Sequence, residues 1–338
     1  MTVTMLKAQP VVNSLKMRAI QVASPGGPEV LSVVELPVPV CGPDQLLVDL
    51  AFSGVNFIDI YQRQGIYPMP SPYVPGLEGS GIVIEVGSAV SGFLVGDQVA
   101  WPSALGSYCE IHAVNASAVV KVPKDVALDA ACAAMLQGMT AHYLVASLYE
   151  IKPGDFALVH AGAGGVGQLL CQMISARGAS AIATVSTDAK AAIATKAGAQ
   201  HVIRYDKDEV AAEVKKLTGG LGVDVVYDGV GASTFQASLA SLKRRGMMAL
   251  FGGASGMVPA FDLQSLSRMG SLFVTRPTLA DYIVAPGEMQ WRADEIFSAH
   301  SAGKLDFAIG KTYDLADATS AHSDLAARKT TGKLLLVP

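Results

Sequence analysis

From Met17 to about Val122, short runs rich in β-branched and aromatic residues alternate with glycine- and proline-bearing turns: MRAIQV, LSVVELPVPV, QLLVDLAF, GIVIEVG, DQVAWP, SYCEIHAV and AVVKVP. Runs of this kind bounded by turn residues predict strands, and their succession predicts an all-β, barrel-like unit. From about Pro153 the rhythm changes to FALVH, AIATV, HVIRY, VDVVYD, MMALFG and SLFVT, six strand candidates separated by helical stretches. Parallel neighbours need a crossover, usually a helix, so this half predicts a doubly wound parallel α/β sheet. Beyond Pro277 the pattern loosens, and the final GKLLLVP reads as a strand returning to the first unit.

A chain of 338 residues is long enough for two domains and a cleft between them. With 51% hydrophobic and 16% charged residues, it has the balance of a globular protein. The net charge of -4 and the lack of a Lys/Arg cluster leave no basic field to hold a nucleic acid. Two uncharged stretches, Ala130 to Tyr149 and Phe156 to Ala176, approach bilayer length. Polar residues and glycines interrupt both (Gln137, Thr140 and His142; His160, Gln168 and Gln172), which suits buried soluble structure better than lipid. The first sixteen residues are mixed and polar, without an apolar or arginine-rich leader pattern, so a cytoplasmic protein is expected. Cys41, Cys109, Cys132 and Cys171 have no ligand or pairing spacing and are expected to be small buried hydrophobes.

The chemistry is concentrated in one motif. Gly162-Ala163-Gly164-Gly165-Val166-Gly167 matches G-x-G-x-x-G; FALVH precedes it, and Val166, Leu169, Leu170, Met173 and Ile174 follow on one helical face. Here Gly162 permits a tight turn, Gly164 lets a pyrophosphate approach the backbone, and Gly167 lets helix and strand pack closely. Gly165 and Val166 open the helix, whose positive end faces the phosphates. The next strand ends at Val185-Ser186-Thr187 without a carboxylate at its tip, although Asp188 lies two residues beyond Ser186. Ser186 can donate to a 2′-phosphate and Lys190 adds positive charge, so NADPH is expected rather than NADH.

The segments Gly54-Val55-Asn56-Phe57-Ile58-Asp59, Tyr61 with Gly65 and Tyr67-Pro68, Leu77-Glu78-Gly79-Ser80-Gly81, Ala161 to Gly167, Phe251-Gly252-Gly253 and Thr275-Arg276-Pro277 resemble those of the zeta-crystallin-like quinone oxidoreductases, the zinc-free branch of the medium-chain dehydrogenase/reductase superfamily. The resemblance runs from Met17 to Pro338. It implies a GroES-like catalytic domain of residues 17–139 and 278–338, a Rossmann NADPH-binding domain of residues 140–277, and an unmatched extension of residues 1–16. Zinc-bearing relatives have Cys where this chain has Asn56 and His where it has Leu77, and neither replacement can ligate tetrahedral zinc, so no metal is expected. The resemblance further implies that Asn56, Asp59, Tyr61, Tyr67 and Arg276 line the cleft near the nicotinamide. Gln137, Thr140 and Phe251 are assigned to the cofactor, and Ser186, Lys190, Tyr205 and Arg328 to its 2′-phosphate.

The expected activity is direct hydride transfer from NADPH to a quinone. Hydride addition leaves charge on an oxygen, which hydrogen-bond donors stabilise; Asn56, Tyr61, Tyr67 and Arg276 are the candidates. Reduction of enones or enoyl thioesters is the alternative within enzymology. A crystallin-like or RNA-binding role is the alternative outside it, and the absence of basic patches speaks against RNA. A homodimer is expected, because SLFVT would lie at the sheet edge and an apolar edge is usually covered.

Overall fold

The computed structural model describes residues 15–338, so nearly all of the expected extension at 1–16 lies outside the described residues. The first half contains the strands β1 (Lys16–Val22), β2 (Leu31–Pro37), β3 (Gln45–Val55), β4 (Glu78–Val86), β5 (Gln98–Trp101), β6 (Ile111–Asn115) and β7 (Val120–Lys121). The short helix α1 (Phe57–Arg63) separates β3 from β4. β1 and β2 form a hairpin, and the other five build, with two strands from the C-terminal end of the chain, a seven-stranded sheet around β3, which pairs antiparallel with both β4 and β6. The expected run SYCEIHAV enters the ladder only at Ile111; before it, Cys109 makes an isolated bridge to Ala19.

The chain then climbs a helical run of residues 128–148, in which α2 (Leu128–Ala133) and α3 (Met139–Tyr143) alternate with wider π-type turns at Ala134–Gly138 and Leu144–Leu148. After it come β8 (Phe156–Val159), α4 (Gly165–Ala176), β9 (Ser180–Val185), α5 (Asp188–Lys196), β10 (His201–Arg204), α6 (Val210–Leu217), β11 (Val223–Asp228), α7 (Phe235–Ser241), β12 (Leu242–Leu250), α8 (Gln264–Arg268) and β13 (Phe273–Thr275). The six strands are parallel in the order β10-β9-β8-β11-β12-β13. Their order reverses beside β8, the place where doubly wound sheets open a crevice at their carboxyl ends.

Alternation of side chains along a strand explains how both faces are covered. Ala157 and Val159 of β8 join one apolar cluster with Leu169 and Leu170 of α4, whereas Leu158 joins another with Val214 of α6 and Leu239 of α7. Each fully buried Leu or Val contributes about 1.5–3 kcal/mol relative to exposure. The first cluster also takes in Ala100, Val120, Met135 and Met139, so the core is continuous across residues 139 and 140, and the helical run does not break there. Gly178, at φ 74°, ends α4 in the left-handed conformation that glycine adopts most easily.

The loosened C-terminal pattern contains α9 (Glu288–Ser301), β14 (Ile309–Asp314), α10 (Ala318–Ala326) and β15 (Lys333–Val337). β15 lies antiparallel to β3, which is the expected return to the first sheet. Cys109, Cys132 and Cys171 are buried as expected, but Cys41 is partly exposed, its thiol donating to the Gln45 carbonyl at 3.3 Å. Among the described residues no helix is long and apolar enough to cross a membrane.

Candidate active site

Parallel register brings one rim together. Val159, Val185, Asp228, Leu250 and Thr275 end neighbouring strands, and the residues just beyond them are those the sequence singled out: Ala161 to Gly167, Ser186, Phe251 and Arg276. The rim is braced from beneath. The Asp228 carboxylate accepts from the amides of Val230 (2.8 Å) and Gly231 (3.0 Å) and from the hydroxyls of Thr234 and Ser238 (both 2.7 Å). His160 links Thr184 at 2.9 Å with Ser238 at 3.0 Å. Burial lowers its pKa, against the pull of Asp228.

The glycine turn has the form of a phosphate cradle. A Cβ on Gly162 would come within 2.6 Å of the Ala183 side chain, and one on Gly167 would strike the Ala161 carbonyl. At Gly164 the nearest atom, the Ala161 oxygen, would be 3.2 Å away, so the tight approaches are those that seat the turn on its own strands. α4 begins there with no side-chain cap and no acidic residue in its first turn, leaving a positive helix end suited to an anion. Gln137 packs against Gly165 from the helical run, with Thr140 buried one turn further on. Gly332 bridges to Gly164, which ties the lead-in to β15 to the same turn.

At the ribose end, the Thr187 side chain caps α5 by accepting from the Lys190 amide. Lys190 reaches the Arg328 carbonyl at 3.0 Å, while the Arg328 guanidinium donates to the Ala254 carbonyl at 3.1 Å. Tyr205 is exposed beside this corner, its amide bonded to Val185 O. Asp188 is drawn to Arg204, with Lys207 4.0 Å away. A carboxylate neutralised in this way does not oppose a 2′-phosphate on Ser186 and Lys190.

Tyr61 projects from α1 toward the opposite domain, where its hydroxyl meets the Gly253 amide. Burial raises its pKa, and the charges of Arg276 and Arg328 act in the other direction. Tyr67 packs edge-on against it with ring centroids 5.6 Å apart, and is 42% exposed. Arg276 also bears electrostatically on Tyr143, a buried residue of α3 stacked on Tyr282 at 4.3 Å. Tyr61, Tyr67, Gly253 and Arg276 thus form a donor-rich wall from both domains.

The structure draws two expected cleft residues inward. Asp59 is fully buried; its carboxylate accepts from the Asn56 amide at 2.8 Å and from the Tyr108 hydroxyl at 3.0 Å. It caps α1 instead of meeting a cofactor. The Asn56 side-chain amide spends its donors on Glu78 (2.8 Å) and the Gly54 carbonyl (3.3 Å), and its oxygen accepts from Lys333 at 2.8 Å. Asn56 therefore supports the cleft from behind and has no free donor for an acceptor.

This inner layer is what sequence reasoning missed. Lys333 and Glu78 form a buried ion pair, and Glu78 also accepts from the Leu136 amide at 2.5 Å. That contact falls in the first π-type turn, where a side chain intrudes on the helix ladder. On the other side of Asp59, Tyr108 is 3.1 Å from His322 Nε2, and Arg63 is 3.2 Å from Nδ1. An arginine at Nδ1 can only donate, so His322 carries its proton on Nε2 and donates to Tyr108. The sequence signal was a lysine at the head of an apolar terminal strand.

Zinc does not fit this layer. Asn56 and Leu77 offer no thiolate or imidazole, and the Lys333 ammonium already supplies positive charge to Asn56 and Glu78. Among the described residues no group of three or more His, Cys, Asp or Glu side chains is placed to hold a metal ion.

Comparison with known proteins follows the same lines. Residues 42–164 match the alcohol dehydrogenase GroES-like domain and residues 165–294 the zinc-binding dehydrogenase family. The chain is 43% identical over 323 residues to a quinone oxidoreductase of Pseudomonas aeruginosa, covering 95% of this chain and 99% of that one. It is 41% identical over 322 residues to a 2-haloacrylate reductase of a Burkholderia species, covering 93% and 96%. The solved structure of Escherichia coli quinone oxidoreductase complexed with NADPH superposes with a TM-score of 0.93 at 41% identity, covering 95% of this chain and all of that one.

Proposed function

The chain belongs to the quinone oxidoreductases of the medium-chain dehydrogenase/reductase superfamily, and from that premise we propose that it reduces quinones with NADPH by direct hydride transfer in the cleft between its two domains, without zinc or flavin. The observation that carries this reading is the convergence on one rim of a phosphate cradle, a 2′-phosphate corner whose one carboxylate, Asp188, is neutralised by Arg204, and a wall of hydrogen-bond donors. Bound NADPH supplies a hydride at its nicotinamide ring.

The chain's own residues supply the rest. The α4 amides hold the pyrophosphate, Ser186, Lys190, Tyr205 and Arg328 surround the 2′-phosphate, and Gln137, Thr140 and Phe251 flank the cofactor. Tyr61, Tyr67 and Arg276 stabilise the acceptor oxygen as it gains charge; removing one preorganised donor of this kind costs up to about 3 kcal/mol in a closed site and nearer 1 kcal/mol in an open one. Asn56, Glu78 and Lys333 fix the floor beneath them.

Reduction of a conjugated enone is the second reading, favoured by the name of the Burkholderia relative. The deciding experiment measures NADPH oxidation by purified protein against ortho- and para-quinones, enones and enoyl thioesters. Turnover of quinones without added flavin is expected; turnover of enones or thioesters alone would overturn the quinone assignment. Failure with all of them, despite NADPH binding, would favour a crystallin-like or RNA-binding role, read by filter binding across salt.

We place the enzyme in the cytoplasm as a homodimer, paired through the exposed edge at β13, where Phe273 is 57% and Val274 38% exposed. A monomeric mass by light scattering would refute the dimer.

A further inference from the structure

Arg276 is left unpaired by its surroundings. It follows Thr275, which registers with Ala249 of β12, so it stands beside Leu250 and Phe251 on the rim facing Tyr61. The other guanidinium at the cleft, that of Arg328, is engaged by the Ala254 carbonyl. Arg276 has no ion pair or hydrogen bond among the described residues. The carboxylates described above are committed elsewhere: Glu78 is bound to Lys333, Asp59 is buried on the inner side of α1, and Asp228 takes four hydrogen bonds under the rim. The acceptor wall therefore presents hydroxyl donors and a guanidinium that no carboxylate of the described residues pairs with.

We infer that the cleft selects conjugated acceptors bearing an anionic group, such as an α,β-unsaturated carboxylate or an acid-substituted quinone, and that Arg276 recognises that group. This rests on the proposed reductase reading and names the substrate class of the same site. A guanidinium presents paired donors to a carboxylate or sulfonate. In a partly exposed cleft the attraction is screened by salt, so it acts as a preference between acceptors and not as an absolute requirement. The acceptor gains a hydride from NADPH and one proton from solvent, and NADP+ leaves. In an enoate the hydride goes to the β-carbon and the proton to the α-carbon; in a quinone the two together yield the hydroquinone. The anionic group keeps its charge throughout.

The test compares matched pairs, 1,4-naphthoquinone with its 2-sulfonate and 2-chloroacrylamide with 2-chloroacrylate, in wild type, Arg276→Met and Arg276→Lys. Taking the ratio of kcat/KM between wild type and variant for each acceptor removes its intrinsic reactivity. The anionic member of a pair should lose at least about tenfold more than the neutral member in Arg276→Met, with partial rescue in Arg276→Lys. Which pair responds distinguishes quinone from enoate. Calorimetric binding of naphthalene-2-sulfonate and naphthalene-2-sulfonamide to the NADP+-loaded protein gives a readout without turnover: the sulfonate should bind more tightly to wild type, and added salt should erode the difference.

Equal losses for both members of each pair, with turnover intact, would overturn this inference alone. A loss of NADPH affinity that accounts for the whole effect would reassign Arg276 to the cofactor and overturn it too. No turnover of any of the four acceptors by wild type would instead remove the reductase reading on which it rests.

Discussion

Asp59→Asn tests the buried layer behind the cleft through the pH dependence of stability. The Asp59 carboxyl is pushed up to about 7, chiefly because burial disfavours its charged form. The hydrogen bonds from Asn56 and Tyr108 and the charge of Lys333 pull it down, while Glu78 pushes it up. One of its oxygens has no protein partner. An unfolded aspartate titrates near 3.9, so the folded protein holds this proton more tightly than the unfolded chain does. The resulting stability is whole below about pH 3.9 and is lost as pH rises through about 7. By linkage it is worth about 4 kcal/mol in full, about 2.7 kcal/mol at pH 5 and almost nothing at pH 8. Asparagine resembles the protonated acid in shape and neutrality and does not titrate. Relative to the variant, wild type should therefore lose about 2.5 kcal/mol between pH 5 and pH 8, on the order of 5 °C in melting temperature. Thermal unfolding of both proteins across that range measures the difference, and titrations common to both, including those of the buried histidines, cancel. A constant gap would refute the reasoning; so would a gap that moves in wild type's favour as pH rises, the mark of a carboxylate held ionised by Lys333.

Two further outcomes follow from the cofactor side. Lys190→Glu should weaken NADPH by roughly ten- to a hundredfold, about 1.5–3 kcal/mol, and NADH far less; fluorescence titration with both cofactors checks it, and equal losses would mean that the 2′-phosphate lies elsewhere. Gly167→Ala should abolish tight NADPH binding while leaving the protein folded, because its Cβ would collide with the Ala161 carbonyl of the turn itself; unchanged affinity would show that the turn shifts without harm.

The parallel half of the fold was legible because two periodicities coincided with it. Strands buried on both faces read as short apolar runs, and the glycine turn stood between one such run and an amphipathic helix. The ribose corner was legible in its residues but not in its electrostatics: Asp188 stands two positions beyond Ser186, and only the fold brings Arg204 of β10 across to neutralise it. α9 was hidden for a related reason. Its inner face includes Arg292 beside Ala293, Ile296 and Phe297, and a buried arginine breaks the apolar pattern from which a helix is read. That arginine is satisfied by Tyr282 O, His142 and Ser147, partners 10 or more residues away. The same holds for the inner layer of the site. Asn56 and Asp59 were assigned to the cleft through the family resemblance, yet whether an amide or carboxylate faces a cleft or the core depends on partners that local spacing does not reveal. Lys333 lies 277 positions from Asn56 and 255 from Glu78. Once β15 pairs with β3 and Gly332 docks on the glycine turn, the ammonium has a carboxylate to meet. Removing one member of such a pair strands the other in a low-dielectric interior. Lys333, Glu78 and Asn56 therefore act as a unit, one that joins the terminal strand, the helical run and the mouth of the cleft.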